Sequence, residues 1–131
     1  MLRTGIVVVA LLLGSAAQAE TWFGTVKVTA GCSGQRAGKD RVNVTITMER
    51  GTFGDASIVL AGVSSDAFSD RIPGKRGEAF IVSAVDGDAA GGAITTISGT
   101  IKGNKLKGVA TVHVWDTQTA CMIFGKVKAK R

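Results

Sequence analysis

An apolar residue recurs at every second position through most of the chain after residue 20, and this period constrains the fold more than any other feature. The clearest segment is 41–49, where Val42, Val44, Ile46 and Met48 alternate with polar residues. Such alternation is typical of an antiparallel strand with one face buried. After residue 20 the sequence shows no long run with a helical period, so the pattern predicts an all-β fold.

Turn-forming residues divide the alternating pattern into about seven predicted strands with short connections. These strands are 21–30, 41–49, 56–63, 78–85, 93–102, 105–115 and 119–129. A Gly103-Asn104 pair between two of them is a strong hairpin signal. The segment 64–77 is the least regular, and we expect one short helical turn there, ended by Pro73. The glycine-rich segment 86–92 is predicted to be a flexible loop.

Cys32 and Cys121 are the only two cysteines, and we predict that they form a disulfide. Cys32 follows the first predicted strand, and Cys121 lies near the start of the last. A disulfide requires Cα atoms about 5.5 Å apart, so it would join these two strands if they run antiparallel side by side. We therefore predict a small antiparallel barrel or sandwich of about seven to eight strands closed by one disulfide. The barrel is favoured because the cysteine and tryptophan positions do not match an immunoglobulin-type sandwich.

Residues 1–19 have the three parts of a secretory signal peptide. Arg3 gives a positive start, 6–13 is an unbroken apolar run, and Ala17-Gln18-Ala19 ends the segment with small residues. The apolar run is far shorter than the roughly 20 residues of a spanning helix. We predict a signal helix cleaved after Ala19, one β domain at 20–131, and export to the periplasm or the medium, between which the sequence does not choose.

Three further features belong together: Trp22-Phe23-Gly24 opens the first strand, the hairpin 99–108 reads GTIKGNKLKG, and a late Cys121 precedes Gly125 and a basic end. In these features the chain resembles the lipocalin-like small barrels, although their opening motif has Gly where this chain has Glu20. The resemblance implies the architecture and, as an alternative function, a carrier of a small apolar ligand. It transfers no site residues. From the strand lengths, we expect side chains to fill the barrel interior.

The chain is basic, with 16 Lys and Arg against 10 Asp and Glu and a net charge of +6. The segment 102–131 concentrates this charge in Lys102, Lys105, Lys107, Lys126, Lys128, Lys130 and Arg131, with Asp116 as its one acid. We predict that these residues form a cationic pole that binds an anionic envelope component or an acidic protein. The alternative is that the lysines only keep the sheet soluble and its edges unpaired. Nucleic acid is disfavoured, because aromatic residues do not interleave the lysines.

Trp115, Met122 and Phe124 have the outward parity of their strands and lie beside one turn. They are either partly covered by loops or form an apolar contact patch for a partner or a lipid.

The sequence gives little support for catalysis or metal binding. His113 is the only histidine and lacks a nucleophile motif. Asp86 and Asp88 are interpreted as turn residues, because a Ca²⁺ loop needs further oxygen ligands. The segment 74–77 lacks the spacing of a phosphate loop, which leaves Arg71, Lys75 and Arg76 as a small basic loop cluster. We predict a non-enzymatic binding domain without metal or cofactor, and a secreted enzyme inhibitor is one form of it. The oligomeric state stays open.

Overall fold

Eight antiparallel strands form a closed barrel, in which each strand pairs with the next and the last returns to pair with the first. The structure, a computed structural model, describes residues 19–32, 38–51 and 53–131. The strands are β1 (Glu20–Ala30), β2 (Arg41–Met48), β3 (Gly54–Leu60), β4 (Val63–Gly74), β5 (Gly77–Asp88), β6 (Gly91–Lys102), β7 (Lys105–Asp116) and β8 (Ala120–Lys130). The barrel prediction is therefore confirmed and the sandwich alternative is wrong. The predicted signal helix lies outside the described residues, except for Ala19.

The segment 64–77 is not irregular and has no helical turn, because most of it is the 12-residue strand β4. This strand pairs with β3 from Val63 to Ser69 and with β5 from Ala67 to Gly74. Its inward positions include Ala67, Ser69 and Arg71, which are buried although only one of them is apolar. The alternation of apolar and polar residues is therefore missing from a strand that faces the core on one side.

The segment 86–92 is also strand rather than flexible loop, since β5 and β6 continue into a tight hairpin that pairs Gly87 with Gly92. A Cβ atom on Gly92 would lie 2.8 Å from the Trp115 ring and 2.3 Å from the Asp86 carbonyl oxygen. Only glycine fits between these groups, so the glycines allow close packing of strand against ring.

Inward side chains from all eight strands form one core inside the barrel. Its fully buried large members are Trp22, Val44, Ile46, Met48, Ile58, Val82, Ile97, Leu106 and Val127. We call the end of the barrel where β1 begins and β8 finishes the closed end, and the opposite end the mouth. The core residues occupy the middle of the barrel and the closed end.

The predicted disulfide is present at the mouth, where Cys32 follows β1 and Cys121 lies in β8. The two Cα atoms are 5.8 Å apart, and β1 and β8 pair directly, for example at Val26 and Val127. The covalent link therefore joins the two strands whose pairing closes the sheet. A disulfide at this position agrees with folding in an oxidising compartment.

Candidate functional site

A buried ion cluster lies across the closed end of the barrel. The Arg71 guanidinium, with a side chain only 3% exposed, donates from Nη1 to Glu20 Oε1 at 3.0 Å. The same group donates from Nε and Nη2 to the two carboxylate oxygens of Glu78, at 2.9 and 3.1 Å. Arg71 is thus held in a bidentate pair on one side and a single charge-assisted bond on the other. The prediction that Arg71 belongs to a surface loop cluster is wrong, because its β4 position points inward.

Two further arginines complete this cluster around Glu20. Arg50 Nε donates to Glu20 Oε1 at 2.8 Å, and Arg131 Nη1 pairs with Oε2. The Arg71 and Arg131 guanidinium carbons lie 5.2 and 5.9 Å from the centroid of the Trp22 ring, within the range of cation–π attraction. The cluster lines a cleft of about 460 Å³. Because both carboxylates are already paired with guanidinium groups, we assign this end a structural role.

The structure places the lysines of the predicted cationic pole along the outer side of β6, β7 and β8, with Lys27 of β1 beside them. We call this surface the lysine face, and it consists of Lys27, Lys102, Lys105, Lys107, Lys126, Lys128 and Lys130. The antiparallel register places lysines directly opposite one another, with Lys105 facing Lys130 and Lys107 facing Lys128. Within the described ranges, none of these lysines forms a salt bridge.

Two residues change the predicted membership of this surface. Lys27 joins it because β1 pairs with β8, which sets Lys27 opposite Lys126. This addition follows only from barrel closure, although the alternation of β1 already indicated an outward side chain. Arg131, by contrast, pairs with Glu20 and stacks on Trp22 at the closed end. The structure therefore brings together the six predicted lysines and separates Arg131 from them.

The predicted apolar contact residues lie together on the outer surface of β7 and β8, near the mouth. Met122 and Phe124 are 42% and 44% exposed, and Met122 lies directly opposite His113. Trp115 is half-buried, and its Nε1 donates to the Asp88 carbonyl oxygen at 2.6 Å. The tryptophan is thus fixed by the neighbouring hairpin, whereas the other two side chains remain available to solvent.

An apolar cavity of about 560 Å³ opens at the mouth. Its walls are the inward side chains Val26, Val28, Val42, Leu60, Ala110, Val112 and Ile123 together with Ala61 between β3 and β4, and Lys39, Asp40 and Arg41 lie at the rim. A smaller recess of about 140 Å³ adjoins it and shares Leu60 and Val112. The expectation that side chains fill the whole interior therefore does not hold at this end. The size of the larger cavity falls within the range of small-molecule sites.

The remaining polar candidates serve the turns at the mouth. Asp116 Oδ1 accepts hydrogen bonds from the backbone N–H groups of Gln118 and Thr119, at 2.8 and 2.7 Å. These bonds lower the pKa of the Asp116 carboxyl below its ordinary value. Asp88 Oδ1 likewise accepts from the backbone of Ala90. His113 faces outward and lies edge-on to Trp115, with ring centroids 6.0 Å apart.

The described residues show no group of three or more His, Cys, Asp or Glu side chains arranged to hold a metal ion. They also contain no helix with the length and apolar character needed to cross a bilayer. No protein-family model, curated protein or solved structure matches the chain. The geometry of its surfaces therefore carries the functional argument alone.

Proposed function

We propose that this chain is an exported, non-enzymatic β-barrel whose lysine face binds an anionic envelope component or an acidic macromolecule. The observation that carries the proposal is the register of β7 and β8. It sets Lys107 against Lys128 and Lys105 against Lys130. Like charges directly opposite each other destabilise a sheet, and an arrangement that served solubility alone would gain from alternating signs.

The chemistry of the face fits a polymer or surface with repeated negative charges. Lysine is a flexible point charge that suits phosphate or sulfate groups at variable spacing. The outward positions of β1 and β8 carry no acidic side chain within their described lengths, so the positive potential there is not locally cancelled. Binding of this kind is steered over long range and weakens with salt.

Neutralising the centre of the face tests the proposal. Replacing Lys126, Lys128 and Lys130 by glutamine is expected to weaken binding to immobilised heparin and to phosphatidylglycerol vesicles by about 100-fold at low salt. This estimate takes about 1 kcal/mol for each lysine near an anionic surface. Elution salt on heparin and vesicle cosedimentation measure the effect.

The matched control is the triple variant Lys39→Gln, Lys75→Gln, Arg76→Gln, which removes the same charge away from the face. It should retain most of the binding. If both variants lost the same amount of binding, the binding would depend on the net charge of the protein and not on the lysine face. Absence of binding by the unmodified protein at low salt would refute the proposal. Heparin and the vesicles also separate an acidic glycan from an anionic lipid as the partner.

The mouth cavity favours a second candidate function, a carrier of a small apolar ligand. Apart from Lys39, Asp40 and Arg41, the described residues that line it are all aliphatic or alanine. A cavity with such walls binds apolar groups by removing their surface from water. This role is compatible with the first, because the lysine face lies on the outside of the barrel.

Filling the cavity tests the carrier role. Leu60→Trp is expected to abolish the fluorescence increase of N-phenyl-1-naphthylamine, an uncharged apolar probe, because the indole would occupy the space beside Val112. Val109→Trp is the control, since Val109 is 55% exposed and points outward next to Ala110. Probe binding that survives Leu60→Trp unchanged, or is absent from the unmodified protein, would exclude the mouth as an apolar site.

A further inference from the structure

A second charged surface lies on the side of the barrel opposite the lysine face. We call it the acidic face, and it consists of the outward side chains Glu49, Asp55, Asp66 and Asp70 on and beside β3 and β4. In the ring of eight strands, β3 is four strands from β7 and β4 is four strands from β8. Among the described residues these carboxylates form no salt bridge. The barrel thus carries uncompensated charge of opposite sign on opposite sides.

An exposed aromatic pair lies within the acidic face. Phe53 and Phe68 stack with ring centroids 5.7 Å apart and planes inclined by 13°, although they are 75% and 58% exposed. Asp55 lies directly opposite Phe68, and Asp70 Oδ1 accepts the Phe53 backbone N–H at 3.1 Å. The two rings are therefore flanked by carboxylates and face solvent.

Phe53 occupies this place at a conformational cost. Its φ of 46° lies in the left-handed region, which is unfavourable for a bulky residue and natural for glycine. Phe53 contacts Phe68 rather than the core, and both rings are exposed, so the pair is free to make a contact outside the barrel. Strained residues of this kind concentrate at functional positions.

We propose that copies of this chain associate head to tail, with the acidic face of one copy contacting the lysine face of the next. Opposed lysines such as Lys107 and Lys128 would meet the carboxylates, and their ammonium groups would lie over the Phe53 and Phe68 rings in cation–π contact. The two faces are different surfaces on opposite sides of one molecule. The contact is therefore heterologous and extends into open chains rather than stopping at a symmetric dimer.

The inference shares the lysine face with the proposed function but does not depend on polyanion binding. Polyanion binding and self-association compete for the same lysines, so a polyanion that binds the lysine face is expected to dissociate the head-to-tail assemblies. Both weaken with salt, because both are contacts between exposed charges.

Two complementary variants test the association by sedimentation velocity at low salt. Asp55→Lys with Asp66→Lys reverses the acidic face and leaves Asp70 bonded to Phe53. Lys107→Glu with Lys128→Glu reverses the centre of the lysine face. The unmodified protein is expected to grow past the dimer with rising concentration, and each variant alone to remain monomeric. An equimolar mixture of the two should associate again, because the intact lysine face of one variant meets the intact acidic face of the other, and the two reversed faces are also opposite in charge.

Controls separate this result from charge and folding effects. The variant Lys75→Glu, Arg76→Glu lowers the net charge by the same amount as Lys107→Glu with Lys128→Glu, but at positions outside the lysine face. This variant should still form chains. Phe53→Gly should melt at the same or a higher temperature yet assemble more weakly. A monomeric unmodified protein, or a mixture that gives no dimer, would overturn the inference. Heparin binding by the Asp55→Lys, Asp66→Lys variant, whose lysine face is intact, reports on the proposed function independently.

Discussion

Replacing Arg71 by leucine is expected to lower the free energy of unfolding by about 3 kcal/mol, because the change leaves Glu20 and Glu78 with less compensation at a buried site. Arg71 is 3% exposed and bonds both carboxylates. In a domain of this size, such a loss lowers the melting temperature by about 10–20 °C. Thermal and urea unfolding followed by circular dichroism measure the change.

Arg50→Gln provides the matched control. Arg50 donates to the same Glu20 oxygen, but its side chain is 62% exposed. Exposed ion pairs contribute about 0–1 kcal/mol, so this variant should unfold almost as the unmodified protein does. A double-mutant cycle with Glu20→Gln isolates the coupling between Arg71 and Glu20. A cost for Arg71→Leu no larger than that for Arg50→Gln would show that the cluster does not hold the closed end.

Removing the disulfide with Cys32→Ser and Cys121→Ser is expected to lower the free energy of unfolding by about 2–5 kcal/mol. The bond spans a sequence separation of 89 residues, so its loss frees a long loop in the unfolded chain. The native sheet should persist, because β1 and β8 remain paired by backbone hydrogen bonds. Urea unfolding of both proteins, each with and without reductant, measures the cost.

The serine variant also serves as the control for the reductant. Reduction should lower the urea midpoint of the unmodified protein toward that of the variant and leave the variant unchanged. If the two proteins unfold at the same midpoint without reductant, the covalent link contributes nothing to stability, and the hydrogen-bonded seam between β1 and β8 alone closes the barrel.

Alternation in the sequence predicts strands well where the inward residues are large and apolar, as at Ile46 and Met48. It fails for β4, whose inward positions include Ser69 and Arg71, because the strand contributes Arg71 to an ion cluster and only the small Ala67 to the apolar core. It also fails where Gly87 and Gly92 continue a hairpin beside Trp115, since glycine is a turn signal as often as a sign of close packing.

The candidate surfaces are predictable to different degrees for a related reason. The lysines of β7 and β8 could be placed together because a hairpin fixes their register. Lys27 joins them only through closure of the barrel, and Phe53 meets Phe68 only across the β3–β4 pairing. The mouth cavity depends on how far the inward side chains of several strands reach, which a pattern along one strand does not encode.

Closure of the sheet also decides how this protein can recognise anything. All eight strands have two hydrogen-bonded neighbours, so the described part of the chain has no edge strand to which an extended peptide could add. A partner on the outer surface of the barrel is therefore recognised through the outward side chains. Reversing a single charge on this outer surface should change which partner binds without disturbing the barrel fold.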